Sequence, residues 1–208
     1  MARLESVTRI VAGSAGGRRL QVPRSGTRPT SERVREALFS SLQHAGLLED
    51  AVVLDLYAGS GALGLEAASR GAAHVTLVEV SRPAAELCRR NAAALGLTGQ
   101  VSVAGAKVQT FLRGGPRTEH AAHLVLLDPP YDIAEDALAE VLQLLTIDGG
   151  AAAWLTEDAV VVVERSRRSP EPSWPEGLAR TDRRAYGDTV MWFAAPTVHK
   201  QQEAPEPA

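Results

Sequence analysis

Short, nearly continuous apolar runs alternate with helical patterns through the middle of the chain. Five runs of five to seven residues predict strands: Ala51–Tyr57, His74–Val80, Gln100–Ala104, Leu124–Asp128 and Ala159–Glu164. Residues spaced for one apolar helical face follow several of these runs, and we predict helices that end near Arg70 or span Pro83–Leu95 and Glu135–Leu145. Strands that are apolar on both faces are typical of a parallel sheet covered by helices. The pattern therefore predicts a doubly wound α/β fold.

The two ends of the chain carry different patterns. Residues 1–27 hold two short β-capable runs around a glycine-rich turn, which predicts a hairpin, and residues 29–47 predict a helix. Arg180–Ala185 and Thr189–Ala194 flank a short turn, which predicts an antiparallel hairpin that closes the sheet. The polar, proline-rich residues 198–208 predict a disordered tail. We therefore divide the chain into a basic N-terminal extension (1–27), a main domain (28–197) and a tail (198–208).

Charge is distributed unevenly along the chain. The 208 residues carry a formal net charge of −3, which alone would argue against a nucleic-acid partner. Residues 1–35 contain eight arginines and two acids, a net charge of +6, which leaves −9 for the remainder. Arginine suits phosphate because its planar guanidinium forms paired hydrogen bonds. A basic segment on an acidic domain favours a nucleic-acid partner, although a solvated charged face would give the same pattern.

Several classes of protein are excluded by the composition. No stretch approaches the roughly 18 apolar residues of a membrane-spanning helix, and the N-terminus has no apolar core of a signal peptide. We therefore expect a cytoplasmic protein. The single cysteine, Cys88, cannot form an internal disulfide and falls in a predicted helix, where we expect a buried thiol. His74, His120 and His123 show no metal-ligand spacing, so we expect no metal site.

A glycine-rich segment after the first strand is the first candidate for binding chemistry. Gly59, Gly61 and Gly64 lie between that strand and a helix, where glycine lets the backbone approach a ligand and the helix start offers free amides. Glu79 ends the second strand, where doubly wound sheets place a carboxylate for ribose hydroxyls. Asp55 would repel a pyrophosphate but would attract a cationic amino-acid moiety. S-adenosylmethionine fits this set better than a dinucleotide, and a helix-capping loop without a ligand is the remaining alternative.

The tetrapeptide Asp128-Pro129-Pro130-Tyr131 ends the fourth strand and is the candidate catalytic segment. Loops at the carboxyl ends of such strands share one ligand crevice, so this tetrapeptide should face the glycine-rich loop. Asp128 and the Pro129 carbonyl can accept the two hydrogens of an exocyclic amine on a nucleobase and orient its nitrogen. Tyr131 can stack on the base. Alone, the segment could be a proline-terminated strand with an exposed tyrosine.

These segments together resemble the RsmD-type methyltransferases, over about residues 9–193. The resemblance is carried by Gly13 with Gly17-Arg18-Arg19-Leu20, Arg28-Pro29-Thr30, Arg33 to Phe39, Leu54 to Ala67, the Asp128–Tyr131 tetrapeptide and Tyr186-Gly187-Asp188. It implies S-adenosylmethionine as cofactor and methylation of a guanine N2 amine in 16S rRNA, free or in an assembling 30S subunit. It also implies a Rossmann-like, seven-stranded, mostly parallel sheet with an N-terminal hairpin near the RNA, and we expect a monomer.

The resemblance and the residue chemistry together give a set of candidate site residues. Catalysis is assigned to Asp128, Pro129 and Tyr131. Cofactor binding is assigned to Asp55, Tyr57, Gly59, Gly61, Glu79 and Ala106, although the family's usual polar residue beside Ala106 is absent here. RNA binding is assigned to Arg18, Arg19, Arg28, Arg33 and Tyr186. Two alternatives stay open: a DNA or protein amino-methyltransferase with the same tetrapeptide, and a non-catalytic RNA-binding assembly factor.

Overall fold

Five helices and nine strands make up the parts of the chain that the computed structural model describes, namely residues 7–22, 31–116, 121–146 and 154–197. In chain order they are β1 (Val7–Arg9), β2 (Arg19–Gln21), α1 (Glu32–His44), β3 (Val52–Leu56), α2 (Ala62–Ser69), β4 (His74–Val78), α3 (Arg82–Leu95), β5 (Val101–Ala104), α4 (Val108–Arg113), β6 (Ala122–Leu127), α5 (Glu135–Thr146), β7 (Leu155–Ser166), β8 (Leu178–Tyr186) and β9 (Thr189–Pro196).

The main sheet has seven strands in the order β5-β4-β3-β6-β7-β9-β8. The first five are parallel, whereas β9 runs antiparallel to both β7 and β8. The chain leaves β3 toward β4 and β5 and later returns to β6 on the other side of β3, so the order reverses between β3 and β6. Ligands of open α/β sheets bind at this reversal, beyond the carboxyl ends of the strands. We call the side where β3–β6 end the carboxyl edge.

Alternate residues of the central strands pack into two separate cores. Val53 and Leu124 lie in the core beneath α1, α2 and α3, whereas Leu54 and Val125 lie in the core beneath α4 and α5. Because both faces are covered, the strand sequences are apolar throughout. The predicted doubly wound fold with its antiparallel closing hairpin is therefore confirmed.

The element bounds differ from the predicted ones in two informative places. Helix α4 was not predicted, because six residues give too little helical periodicity to recognise. Strand β7 begins at Leu155, four residues before the predicted start. The apolar pattern missed this first part of the strand, because Glu157 and Asp158 are polar and exposed. The first helix is capped by Ser31, whose side chain accepts a hydrogen bond from the Val34 amide at 3.3 Å.

The predicted N-terminal hairpin exists, and it packs into the main core. Strands β1 and β2 pair antiparallel, and Ile10, Ala15 and Leu20 from the hairpin are buried with the residues beneath α1, α2 and α3. Residues 23–30, where the predicted extension joins the domain, lie outside the described part of the chain, as does the predicted tail. The division at residue 27 stays a prediction, but the hairpin itself is part of the folded core.

A buried carboxylate fastens the hairpin to α2. Glu66 accepts hydrogen bonds from the amides of Val11 (2.7 Å) and Ala12 (3.1 Å) and pairs with the Arg70 guanidinium at 2.7 Å. The Arg35 Nε lies 3.7 Å from the same carboxylate, with both side chains fully buried. Helix α2 begins directly after the glycine-rich loop, so the hairpin is anchored on the helix that forms the candidate ligand site.

Among the described residues, no helix is long and apolar enough to cross a membrane.

Candidate active site

The glycine-rich loop turns sharply between β3 and α2. Gly59 and Gly61 have φ values of +57° and +82°, a region that glycine enters without steric cost, and Gly61 is the N-cap of α2. Tyr57 has a φ of +128° and is strained for a residue with a side chain. Its amide and that of Ala58 both donate to the Val78 carbonyl, at 3.2 and 3.0 Å. The loop is therefore held in a conformation that glycine makes possible and β4 supports.

Gly64 is required for a different reason, the close approach of α2 to the sheet. A Cβ at this position would lie 2.3 Å from a Leu77 methyl and 3.0 Å from a Val75 methyl. The Gly64 amide donates a 2.9 Å hydrogen bond to the Asp55 Oδ2. The third glycine of the motif thus lets the helix sit on β3 and β4 and positions the aspartate at the end of β3.

Asp55 is almost completely buried and carries an unused oxygen. It is 1% exposed, and its Oδ1 has no hydrogen-bond partner among the described residues. Burial raises the pKa of this carboxyl to about 7, against the lowering effect of the Gly64 amide, and Glu79 adds to the increase. Such an oxygen is expensive to leave without a partner. A cationic ligand group that reached it would supply the missing partner and favour the charged carboxylate.

Glu79 braces the loop from the end of β4. Its carboxylate accepts hydrogen bonds from the Gly59 amide at 2.8 Å and the Ser81 amide at 2.7 Å. Each oxygen keeps a lone pair for a hydroxyl. Val80, the next residue, is 63% exposed and was missed by the sequence reasoning. The sequence signal that could have found Val80 is its position as an apolar residue directly after Glu79, the candidate carboxylate for ribose. Ala106 is half-buried after β5, and its amide donates to the Ala104 carbonyl at 3.1 Å.

The Asp128–Tyr131 tetrapeptide leaves β6 beside the glycine-rich loop. In the parallel pairing of β3 with β6, Asp55 lies opposite Leu126, so Asp128 follows only two residues beyond that position. Pro129 is buried, which fixes the start of the tetrapeptide, whereas Tyr131 is 57% exposed. Tyr131 and Val80 are the two large apolar side chains described as exposed, and both follow strands that end at the carboxyl edge. The two predicted loops thus meet at one edge.

Tyr131 also lines a cavity that sequence reasoning did not foresee. The cavity has a volume of about 280 Å³ and is bounded by Tyr131, Ser166, Arg167, Arg168 and Asp188. Ser166 ends β7, Arg167 and Arg168 follow it, and Asp188 directly precedes β9. Tyr186 was predicted to face the RNA, but its ring packs against the core beneath α1, α2 and α3. Its RNA role stays a prediction, and the neighbouring Asp188 is the residue of that turn that lines the cavity.

The predicted RNA-binding arginines have different environments. Arg18 donates to the Leu95 carbonyl at 2.8 Å and to the Ala94 carbonyl, so its guanidinium caps the end of α3. Arg19 on β2 and Arg33 on α1 are exposed. Arg28 lies outside the described residues. Arg18 is also exposed, so what distinguishes it is that its guanidinium is hydrogen-bonded to the end of α3. Sequence alone could not have shown this difference, because Arg18 and Arg19 are adjacent.

No group of three or more His, Cys, Asp and Glu side chains arranged to hold a metal ion occurs among the described residues. The Cys88 thiol is buried under the glycine-rich loop, where it donates to the Gly59 carbonyl at 3.3 Å. Burial raises its pKa to about 12, with smaller effects from Asp55 and Glu79. A thiol in this state is protonated near neutral pH and packs as a small apolar side chain.

Comparisons with known proteins agree with this geometry. The family model described as conserved hypothetical protein 95 matches residues 8–195. The chain belongs to this family. Ribosomal RNA small subunit methyltransferase D of Escherichia coli is 40% identical over 170 residues, which cover 80% of this chain and 79% of the relative. The protein of the same name from Haemophilus influenzae is 36% identical over 166 residues, covering 78% and 80%.

A solved structure supports the family assignment independently of the motifs. The Escherichia coli protein yhhF superimposes with a TM-score of 0.77 at 33% identity, covering 92% of this chain and 98% of that one. The resemblance that the motifs indicated is thereby confirmed. This member of the family is an S-adenosylmethionine-dependent methyltransferase.

The buried Asp55 predicts that cofactor binding depends on pH. If the carboxylate form is the one that binds, a pKa of about 7 means that affinity rises with pH and levels off above it. We expect the dissociation constant for S-adenosylmethionine to be about eightfold larger at pH 6 than at pH 7.5. Isothermal titration calorimetry at both pH values measures it.

Two variants serve as controls for this pH dependence. Asp55→Asn should bind more weakly and show a flat profile, because its amide does not titrate in this range. Asp158→Asn, exposed at the far end of β7, should keep the wild-type profile. A pH-independent wild-type affinity would show that Asp55 does not exchange a proton when the cofactor binds.

Proposed function

We propose that this protein methylates the exocyclic N2 amine of a guanine in small-subunit ribosomal RNA. The observation that carries the proposal is the register of β3 and β6, which brings the braced glycine-rich loop and the Asp128–Tyr131 tetrapeptide to the same edge. The ribosomal RNA substrate is supported by the curated relatives named ribosomal RNA small subunit methyltransferase D. The guanine amine is supported by the acceptor chemistry of the tetrapeptide.

The described residues fit S-adenosylmethionine. The orphaned Asp55 Oδ1 is a buried acceptor without a donor, as expected for a site that receives an ammonium group. Gly59 and Gly61 leave the loop backbone open at the start of α2. The Glu79 carboxylate is placed for ribose hydroxyls, with exposed Val80 next to it for an adenine face. Tyr57 and Ala106 complete the proposed cofactor set. The cofactor supplies a methyl group on a positively charged sulfur.

The protein's own contribution to the reaction is orientation of a poor nucleophile. The lone pair of a nucleobase amine is delocalised into the ring, so the nitrogen must be held with that pair directed at the methyl group. The Asp128 carboxylate and the Pro129 carbonyl accept the two amine hydrogens and hold the nitrogen. Tyr131 stacks on the base and keeps its plane fixed. Such positioning supplies much of the acceleration in transfer reactions. The Asp128 carboxylate is also the acceptor for the proton that the methylated amine releases.

The basic N-terminal region is proposed to hold the RNA backbone. Arg19 and Arg33 are exposed for this role, while Arg28 stays a sequence prediction and Arg18 is engaged with the end of α3. The target guanine must leave its stack to reach the tetrapeptide. We therefore propose that phosphate contacts by the hairpin and α1 position the RNA, while Tyr131 receives the extruded base. A ribosomal RNA substrate would place the protein in the cytoplasm, and we expect a monomer without a metal.

Methyl transfer from labelled cofactor tests the function directly. The substrates are naked rRNA and 30S subunits purified from cells that lack this protein, and the modified nucleoside is identified after digestion. The proposal expects labelled N2-methylguanosine from at least one of the two substrates. Labelled N6-methyladenosine, or label found only in the proteins of the 30S subunit, would overturn it in favour of another amino-methyltransferase. Tight RNA binding without any transfer would favour the non-catalytic assembly factor.

Removing the Tyr131 ring should weaken use of the RNA substrate. Stacking of a base on an aromatic side chain contributes about 1–3 kcal/mol, so we expect Tyr131→Ala to lower kcat/KM for RNA by about 5- to 150-fold. The cofactor dissociation constant should stay unchanged. Tyr131→Phe keeps the ring and should retain most of the activity. Equal losses in both variants would assign the effect to the hydroxyl group and not to stacking.

A further inference from the structure

The cavity beside Tyr131 is built by two turns of the antiparallel part of the sheet. Ser166 at the end of β7 pairs with Thr189 at the start of β9. The Arg167 amide donates to the Asp188 carbonyl at 2.8 Å, and the Arg167 guanidinium lies 3.5 Å from the Gly187 carbonyl. The turns that follow β7 and precede β9 are therefore tied together. This attachment fixes the backbone from which the Asp188 side chain extends.

Two charged groups of opposite sign are left available in this cavity. Within the described residues, no hydrogen bond or ion pair engages the Asp188 carboxylate or the Arg168 guanidinium, and both residues are exposed. The Arg168 amide is already used, because it donates to the Ser166 hydroxyl at 3.2 Å. The cavity of about 280 Å³ thus offers an exposed aromatic ring, an acceptor and a cation. A nucleotide has a base face, ring donors and a phosphate that match these three groups.

The turn between β8 and β9 does not by itself require an aspartate at position 188. A short hairpin turn accepts asparagine or aspartate equally well, since both side chains suit turn backbones. Gly187, with a φ of +60°, already supplies the backbone freedom that this turn needs. The difference between the two residues is that an ionised carboxylate only accepts hydrogen bonds, whereas an amide also donates.

We infer that Asp188 selects guanine by accepting the hydrogen on its ring nitrogen N1 while Asp128 and Pro129 hold the neighbouring N2 amine. This inference rests on the proposed function. In guanine, N1 carries a hydrogen and adjoins the carbon that bears the amine, so two acceptors side by side match that edge. In adenine, N1 is itself an acceptor beside the amine, and its lone pair would face the Asp188 carboxylate. Arg168 pairs with the phosphate of the same nucleotide.

An RNA that carries 2-aminopurine at the target position tests the inference. This base keeps an amine at the same carbon but lacks the N1 hydrogen. The target nucleotide is first mapped with the wild-type protein, and 16S rRNA with one guanine or one 2-aminopurine at that position is assembled by splint ligation. It is used naked or in reconstituted 30S particles, according to which the wild-type protein methylates.

The measured quantity is the ratio of kcat/KM for guanine to kcat/KM for 2-aminopurine. We expect the wild-type protein to favour guanine by about 10- to 100-fold beyond the intrinsic difference between the amines, the range for a lost base contact. Asp188→Asn should reduce this ratio by at least about tenfold, because its amide can donate to the unprotonated N1. A change in RNA binding alone would move both rates together and leave the ratio unchanged.

Controls separate this inference from the proposed function and from folding. Asp158→Asn changes an exposed aspartate at the other end of β7 and should keep the wild-type ratio. Arg168→Gln should raise KM for both RNAs without changing the ratio, whereas Arg113→Gln, an exposed arginine paired with Glu140, should not change KM. An unchanged ratio in Asp188→Asn overturns the inference but leaves the function intact. Failure of the wild-type protein to produce N2-methylguanosine overturns the proposed function itself.

Discussion

Replacing Asp128 with alanine should lower kcat for methyl transfer to RNA by about 10²- to 10⁴-fold. The carboxylate follows β6 at the carboxyl edge, close to the glycine-rich loop that is proposed to hold the cofactor. Without it, one hydrogen of the amine loses its acceptor, the lone pair is no longer directed, and the departing proton has no base. Single-turnover kinetics with labelled cofactor measure the step itself, separately from product release.

The matched control for this variant is Asp128→Asn. Asparagine keeps one acceptor oxygen for the amine but cannot take up its proton, so we expect an intermediate rate. Both variants should bind S-adenosylmethionine with the wild-type affinity, because the proposed cofactor contacts lie on β3, in the glycine-rich loop and in the segments after β4 and β5. Full activity in Asp128→Ala would remove this residue from the mechanism. Weakened cofactor binding in both variants would assign it to the cofactor site.

Replacing Glu66 with alanine should destabilise the protein by about 3–5 kcal/mol, the range for removing one partner of a buried charge pair. The fully buried carboxylate serves the amides of Val11 and Ala12 and both Arg35 and Arg70. Burial already lowers the pKa of the Arg35 guanidinium, and Glu66 is the largest opposing effect. Without the carboxylate, two buried cations would lose their counter-charge and two half-buried amides would lose their acceptor. Urea denaturation followed by circular dichroism measures the loss.

The control for the buried charge is Glu86→Ala, which removes an exposed ion pair with Arg89 on α3. Exposed pairs contribute little, so its free energy of unfolding should stay within about 1 kcal/mol of the wild-type value. If the free energy of unfolding of Glu66→Ala also stayed within about 1 kcal/mol of the wild-type value, the Glu66 cluster would not stabilise the docking of the hairpin. Because Glu66 lies on α2, Glu66→Ala should also weaken cofactor binding. Unchanged cofactor binding would mean that docking of the hairpin on α2 does not support the cofactor site.

The fold and the two central loops were predictable because each follows from a local pattern. Apolar runs identify buried parallel strands, and parallel strands place their carboxyl ends at one edge. Asp55 and Asp128 could therefore be assigned to one site from sequence alone. The buried contacts that support the site could not be predicted in this way. Glu66 stands in a helix as one acid among many, and its partners Val11 and Ala12 are more than 50 residues away, joined only by tertiary packing.

Side-chain assignments at the RNA side were less predictable for a related reason. Adjacent residues often point in different directions, and a motif does not say which of them faces the site. Arg18 and Arg19 are both exposed, but only the Arg18 guanidinium is described as bonded to the end of α3. Tyr186 packs against the core, while Asp188 lines the cavity beside Tyr131. The second arginine pair, Arg167 and Arg168, was not singled out from the sequence, because it lies in residues 36–208, whose net charge is −9.

The central claim is tested most directly by quantitative mass spectrometry of nucleosides from 16S rRNA. The rRNA is taken from cells that lack this protein and from the same cells supplied with the wild-type chain or with Asp128→Ala. The account predicts that N2-methylguanosine decreases by one residue per 16S rRNA when the protein is absent, returns with the wild-type chain and does not return with Asp128→Ala. Unchanged N2-methylguanosine, together with loss of a different methylated nucleoside, would contradict it.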